Sequence, residues 1–208
     1  QSKSVVKLVS TPEFGFAFAV SNELLALGHE HPKIKALKNI VEKEIAENPK
    51  IKIIVFSQFR ETARIVCKNL NNIKGIKAKV FVGQAKKAVT SYDSKEKDEM
   101  SGLSQKEQKE IINEFSGREV NVLCATSIGE EGLDIPEVNI VVFYEPVASA
   151  IRAIQRAGRT ARLMKGKLIM LITRKTRDEA YFYASRIKER KMHSAISDVR
   201  GTLGNKSS

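Results

Sequence analysis

The chain has 208 residues, enough for one large domain or one domain with an appendage. Hydrophobic residues make up 42% and charged residues 29%, a globular composition with no run near the roughly 20 apolar residues of a membrane helix, so no membrane partner is expected. Lys and Arg number 36 against 24 Asp and Glu, a formal net charge of +12. Thirteen Lys/Arg but three Asp/Glu fall within residues 150–192, an asymmetry that suits a polyanionic partner.

Residues 1–10 alternate polar and apolar without the sustained apolar core of a secretory signal. Residues 11–27 predict a helix: Thr11 can cap, Pro12 suits the first turn, and Gly28 ends it. Its apolar residues Phe14, Ala17, Phe18, Leu24 and Leu25 form a stripe. A second helix follows His31-Pro32, with Ile34, Leu37, Val41 and Ile45 on one face, and Asn48-Pro49 stops it. Ile51–Phe56 is an apolar run broken only by Lys52, the mark of a buried strand. The next helix carries Ala63, Val66, Cys67 and Leu70, and Ala78–Val82 is a short strand. Residues 83–103 are polar and aperiodic, a loop pattern. Ser104–Phe115 is helical, opened by a capping box of Ser104 and Glu107. Val120–Ala125, Ile140–Tyr144 and Lys167–Ile172 are strands, and Ser149–Gly158 is a helix. Thr176 and Glu179 form a second capping box before a helix reaching about residue 192. Within it Tyr181, Phe182 and Tyr183 are expected to pack. Residues 193–208 form a polar tail.

Alternating strands and helices between residues 51 and 192 imply βαβ units, a parallel sheet and helices on both faces: an α/β, three-layer fold. Cys67 and Cys124 lack CxxC spacing and read as buried apolar groups of a reducing, intracellular compartment; no disulfide and no metal site are expected. In parallel sheets ligands bind beyond the carboxyl ends of the strands. Those ends carry Ser57-Gln58-Phe59-Arg60, Gly83-Gln84-Ala85, Thr126-Ser127 with Gly129–Asp134, and Glu145-Pro146. Hydroxyls and backbone N–H groups there suit phosphate oxygens, and Asp134 suits ribose hydroxyls. After the last of these ends, Gln155, Arg159 and Arg162 fall at i, i+4 and i+7, so a helix puts them on one face. Arginine forks on one face suit a polyphosphate.

Ile53–Phe59, Phe81–Ala85, Leu103-Ser104-Gln105, Ala125–Asp134 and Gln155–Arg162 together resemble, in order, the motifs of the C-terminal half of superfamily 2 helicases. Gly129–Asp134 and Val142–Pro146 are most similar to archaeal Hef and its relative, the Fanconi anaemia M-type fork translocase; RIG-I-like and Dicer helicases share the pattern less closely. The resemblance implies a RecA-like motor domain over residues 31–192, preceded at 1–30 by the end of a helical insertion. It implies that Arg159 and Arg162 are arginine fingers toward ATP and that Gln155, Gly132 and Asp134 lie on the nucleotide side. Ser57, Gln58, Gly83, Gln84, Thr126 and Ser127 are implied contacts to the nucleic-acid backbone. Forked DNA is the favoured track and double-stranded RNA the alternative. The family usually has Gly where this chain has Ala161.

No GxxxxGK[ST] phosphate loop occurs, and Gly166-Lys167 leads into a strand. Asp178-Glu179-Ala180 sits in the first turn of a helix, where acids do capping work and do not hold a metal. The expectation is half of a motor: ATP and Mg²⁺ held mainly by an N-terminal RecA-like domain, no turnover by this stretch alone, a cytoplasmic, nucleoid-associated location, and room for a nuclease domain further on. The rival readings are a non-catalytic RecA-like binding module and an ATPase that acts on protein.

Overall fold

The computed structural model describes residues 2–83, 102–126, 137–146, 166–184 and 187. The chain divides into two units, Gln1–Ala36 and Leu37–Ser208. In the first, α1 (Lys3–Val9) is followed by α2 (Pro12–Ala26). Thr11 caps α2 by accepting the Phe14 N–H, Pro12 takes its first turn, and Gly28 adopts the left-handed φ of 71° that ends it. The rings of Phe14 and Phe18 stack at 6.3 Å. No residue of α1 or α2 is buried, and Phe18 is 61% and Leu25 74% exposed. The stripe that periodicity predicts is therefore present but uncovered among the described residues.

The helix α3 (Pro32–Glu47) leads into the second unit, where its Leu37 and Val41 are buried. There follow β1 (Ile53–Phe56), α4 (Arg60–Leu70), β2 (Ala78–Phe81), α5 (Gln105–Ser116), β3 (Val122–Ala125), β4 (Ile140–Phe143) and β5 (Lys167–Met170). The five strands form one parallel sheet in the order β2-β3-β1-β4-β5. β1, β3 and β4 are buried on both faces, so they read as continuous apolar runs.

Alternation along the strands sorts the core into two layers. Ile54, Phe56, Phe81, Leu123, Ala125, Val141 and Phe143 meet Ile111 and Phe115 of α5. The opposite face carries Cys124, which is hydrogen-bonded to Cys67 of α4. Both cysteines are buried and free. The bond with Cys67, and then burial, push the Cys124 thiol well above its ordinary range, which keeps it unreactive. The predicted face of α4, Ala63, Val66, Cys67 and Leu70, is the buried one.

Polar residues at element ends tie the layers together. Lys52 donates to the Ser116 carbonyl at the end of α5 at 3.0 Å and lies 5.4 Å from the Phe115 ring centre. Lys167 at the start of β5 pairs with Glu44 of α3. The α5 capping box is complete: Ser104 Oγ accepts the Glu107 N–H, and the Glu107 carboxylate accepts the Ser104 N–H. The box expected at Thr176 forms differently. Thr176 Oγ accepts from the Asp178 N–H at 3.3 Å, and Glu179 reaches past Thr176 to the Lys175 N–H at 2.7 Å. The left-handed φ of 59° at Lys175 accompanies this displacement by one residue. Residues 177–184 are helical. There the packing expectation is corrected: Tyr181 and Tyr183 are 48% and 57% exposed, and only Phe182 is partly covered, edge-on to Tyr183.

Candidate nucleic-acid interface

The strands end in register. Phe56 pairs with Ala125 and with Phe143, Phe81 pairs with Ala125, and Phe143 pairs with Met170. The residues that follow therefore emerge in a row along one edge. Ladder bonds extend one step further, from the Ser57 N–H to the Ala125 carbonyl at 2.9 Å and from the Tyr144 N–H to the Phe56 carbonyl at 2.8 Å. Ser57, Gln58, Gly83 and Thr126 thus share this edge, as the strand-end reading expects. Gln84, Ser127, Gly132, Asp134, Gln155, Arg159 and Arg162 lie outside the described residues, as do Ala161 and residues 84–101 of the polar segment.

Each described site residue has a distinct setting. Ser57 is 2% exposed, and its hydroxyl donates to the Phe59 carbonyl at 3.1 Å, so it shapes the turn into α4. Gln58 exposes its side chain, while its N–H donates to the Glu145 carboxylate at 2.9 Å. Thr126 and Gly83 are half-buried. The chain leaves β1 toward β2 but leaves β4 toward β5 on the other side, so the topological switch point of the sheet falls between β1 and β4. The Gln58–Glu145 bond spans that point.

Three residues with no role assigned from sequence hold this edge. They are Glu145, Arg60, whose Nη2 donates to the Gly83 carbonyl at 3.0 Å, and Gln108, whose Nε2 donates to the Val82 carbonyl at 3.0 Å. Gln108 had a readable signal: it lies three residues before Ile111 and seven before Phe115, a polar residue on the apolar stripe of α5. Arg60 and Glu145 had none beyond their position next to strand ends.

Asp178 and Glu179 have structural duties, which supports reading them as capping groups. The Asp178 carboxylate accepts the Thr173 N–H at 3.2 Å, and Glu179 serves Lys175. Among the described residues no group of three His, Cys, Asp or Glu could hold a metal ion, and no helix is long and apolar enough to cross a membrane. The residues implied for ATP all lie outside the described residues, so no described donor set bears on the nucleotide.

Comparison with known proteins places this edge in a family. The model of the helicase conserved C-terminal domain matches residues 32–164. A putative ATP-dependent RNA helicase of Methanocaldococcus jannaschii, MJ1505, is 42% identical over 86% of this chain and 21% of its own length. The ATP-dependent DNA helicase fml1 of Schizosaccharomyces pombe is 37% identical over 82% of this chain and 20% of its own. The solved Pyrococcus furiosus Hef helicase domain is 44% identical, with a TM-score of 0.66 over 89% of this chain and 35% of that one. The chain thus spans about a fifth of the length of the curated relatives it matches. A five-stranded parallel sheet with in-register carboxyl ends, a family match over most of the chain and this likeness lead to one conclusion: the chain belongs to the helicase conserved C-terminal domain family, as a RecA-like motor domain of a superfamily 2 helicase of the Hef and Fanconi anaemia M type.

Proposed function

We propose that this chain is the C-terminal half of an ATP-dependent translocase that grips the nucleic-acid backbone, with forked or branched DNA as its track. The observation that carries the reading is the row of Gln58, Gly83 and Thr126 along the carboxyl edge of a parallel sheet. The Gln58 side-chain amide and the Thr126 hydroxyl, in line with Gly83, suit successive phosphates and carry no base readout. Gln84 and Ser127, which follow Gly83 and Thr126 in sequence, are part of the same proposed grip, and Ser57 holds its turn. Residues 31–192 form the motor domain, residues 1–30 close a helical insertion, and 193–208 form a tail. The working protein is intracellular, and its N-terminal RecA-like domain is the partner across the nucleotide. A nuclease domain beyond the motor is compatible with this arrangement.

In the closed motor, Arg159 and Arg162 present guanidinium groups to the γ-phosphate of ATP, with Gln155, Gly132 and Asp134 on the same side. Mg²⁺ and the phosphate cradle belong to the N-terminal domain, and the bound nucleotide supplies the hydrolysable bond. Arg159 and Arg162 stabilise charge that grows on the transferred phosphoryl, a role worth about 10³–10⁵ in rate in comparable enzymes. Closing and opening of the two domains alternates their grips along the strand.

The test is Arg159→Ala in the full-length protein. ATP hydrolysis is expected to fall by about 10³-fold or more with nucleic-acid binding retained. Unchanged hydrolysis removes Arg159 from the finger role. The relatives include one named as an RNA helicase and one named as a DNA helicase, so double-stranded RNA is the second reading of the track. Stimulation of the ATPase by forked DNA over double-stranded RNA supports the first, and the reverse order supports the second.

A further inference from the structure

Beyond the last ladder pair of β2, Phe81 with Ala125, the chain leaves the sheet, and the next two carbonyls are taken by side chains. Gln108 takes the Val82 carbonyl at 3.0 Å, and Arg60 takes the Gly83 carbonyl at 3.0 Å. They arrive from opposite faces: α5 lies on the Phe81–Ala125 side, and α4 lies on the Cys124 side. Gln108 is 1% exposed within a helix face that is otherwise apolar. A leucine there would bury more apolar surface at no desolvation cost, so the amide is explained by the carbonyl it serves. Arg60 opens α4 directly after the β1 turn, yet the group it holds follows β2, two places away in the sheet. α4 packs over β3 and β2, so Arg60 reaches the exit of β2 from the face on which α4 lies.

We propose that Arg60 and Gln108 are positioning residues for nucleic-acid binding: they clamp Val82-Gly83 from the two faces and hold Gly83 in line with Gln58 and Thr126. This rests on the nucleic-acid edge argued above. A parallel sheet fixes strand ends only as far as its ladder runs. A grip on a regular phosphate backbone needs its contacts at fixed spacing after the ladder stops. Arg60 supplies that spacing between the β1 and β2 exits, and Gln108 sets the depth of the β2 exit against the core.

The experiment uses the 208-residue chain, a fluorescein-labelled oligothymidylate read by anisotropy, and the Gly83 carbonyl ¹³C resonance. Arg60→Ala and Gln108→Leu are each expected to weaken binding about 3- to 10-fold, the worth of one hydrogen bond. The double variant should lose less than the product, because both act on one segment. Arg60→Lys, which keeps a donor, should recover part of the loss. The Gly83 resonance should move upfield in Arg60→Ala and stay in Arg60→Lys. Gln108→Leu should leave the salt slope of binding unchanged, since no charge is removed. If Gln108→Leu fails to fold, the Arg60 pair with the Gly83 resonance still decides. Wild-type binding with equal affinity in Arg60→Ala and Gln108→Leu overturns the positioning role and leaves the nucleic-acid edge standing. No binding by the wild type, with both carbonyls still held, overturns the edge itself and this inference with it.

Discussion

At the scale of single residues, a few backbone approaches decide whether the sheet can close. Gly166 precedes β5, and a Cβ built there would lie 1.8 Å from the Asn139 carbonyl oxygen, which also accepts the Lys167 N–H at 2.8 Å. The one Gly-Lys pair in the chain is therefore a close-packing device between β4 and β5, which is why it resembles a phosphate loop only in spelling. Gly166→Ala should cost about 1–3 kcal/mol, the range for overpacking, read as a lowered midpoint in urea. Gly15→Ala, at a helical position where a Cβ meets nothing within 4 Å, should cause no loss. An equal midpoint for Gly166→Ala and wild type would show that β5 can shift freely against β4. Asn71 works at the same scale: its amide donates to the Ala78 carbonyl and accepts the Ala78 N–H, setting where β2 begins.

At the scale of elements, α5 shows how a helix start is specified and how acid undoes it. Ser104 and Glu107 satisfy each other's backbone N–H groups, and the hydrogen bonds from the Ser104 side chain and then its backbone hold the Glu107 carboxyl below the usual range. A carboxyl depressed in the folded state stabilises above its unfolded pKa of about 4.3 and loses that contribution as pH falls through the folded value. The stability difference between wild type and Glu107→Gln should therefore shrink as pH drops from about 5 toward 3. A difference that stays constant over that range would remove the ionised carboxylate from the cap. Ser104→Ala should cost about 1 kcal/mol at neutral pH, the usual value of an N-cap. The consequence reaches the candidate site, because Gln108 sits one turn after the cap and holds the exit of β2.

At the scale of the whole molecule, charge and edge geometry meet. A net charge of +12 supplies attraction to any polyanion, while the row of Gln58, Gly83 and Thr126 supplies the spacing. For single-stranded DNA, log K should fall linearly with log salt. For three or four phosphates neutralised by Lys or Arg the affinity should drop roughly 30-fold between about 50 and 200 mM. A flat response, measured by anisotropy at several salt concentrations, would count against Lys and Arg contacts to phosphate as the basis of binding.

Much of this fold is legible in the sequence, because a strand buried on both faces must be apolar throughout and an amphipathic helix must repeat its apolar residues at helical spacing. Hence β1, β3 and β4, the buried face of α4 and the α5 capping box all lie where periodicity predicts them. The shared edge is legible too, since a parallel sheet gathers the residues that follow its strands. What sits against what was not legible. That Cys67 meets Cys124, that Arg60 reaches the Gly83 carbonyl, and that Glu145 answers the Gln58 N–H depend on the strand order β2-β3-β1-β4-β5. The displaced cap at Thr176 and the exposed Tyr181 and Tyr183 follow from backbone geometry and tertiary cover that local propensity does not encode. Burial and capping are local demands, so the order of residues alone fixes which segments become strands and helices and which residues stand at their ends. Which of those ends are strapped together is set by the strand order, because it brings together residues far apart in the chain.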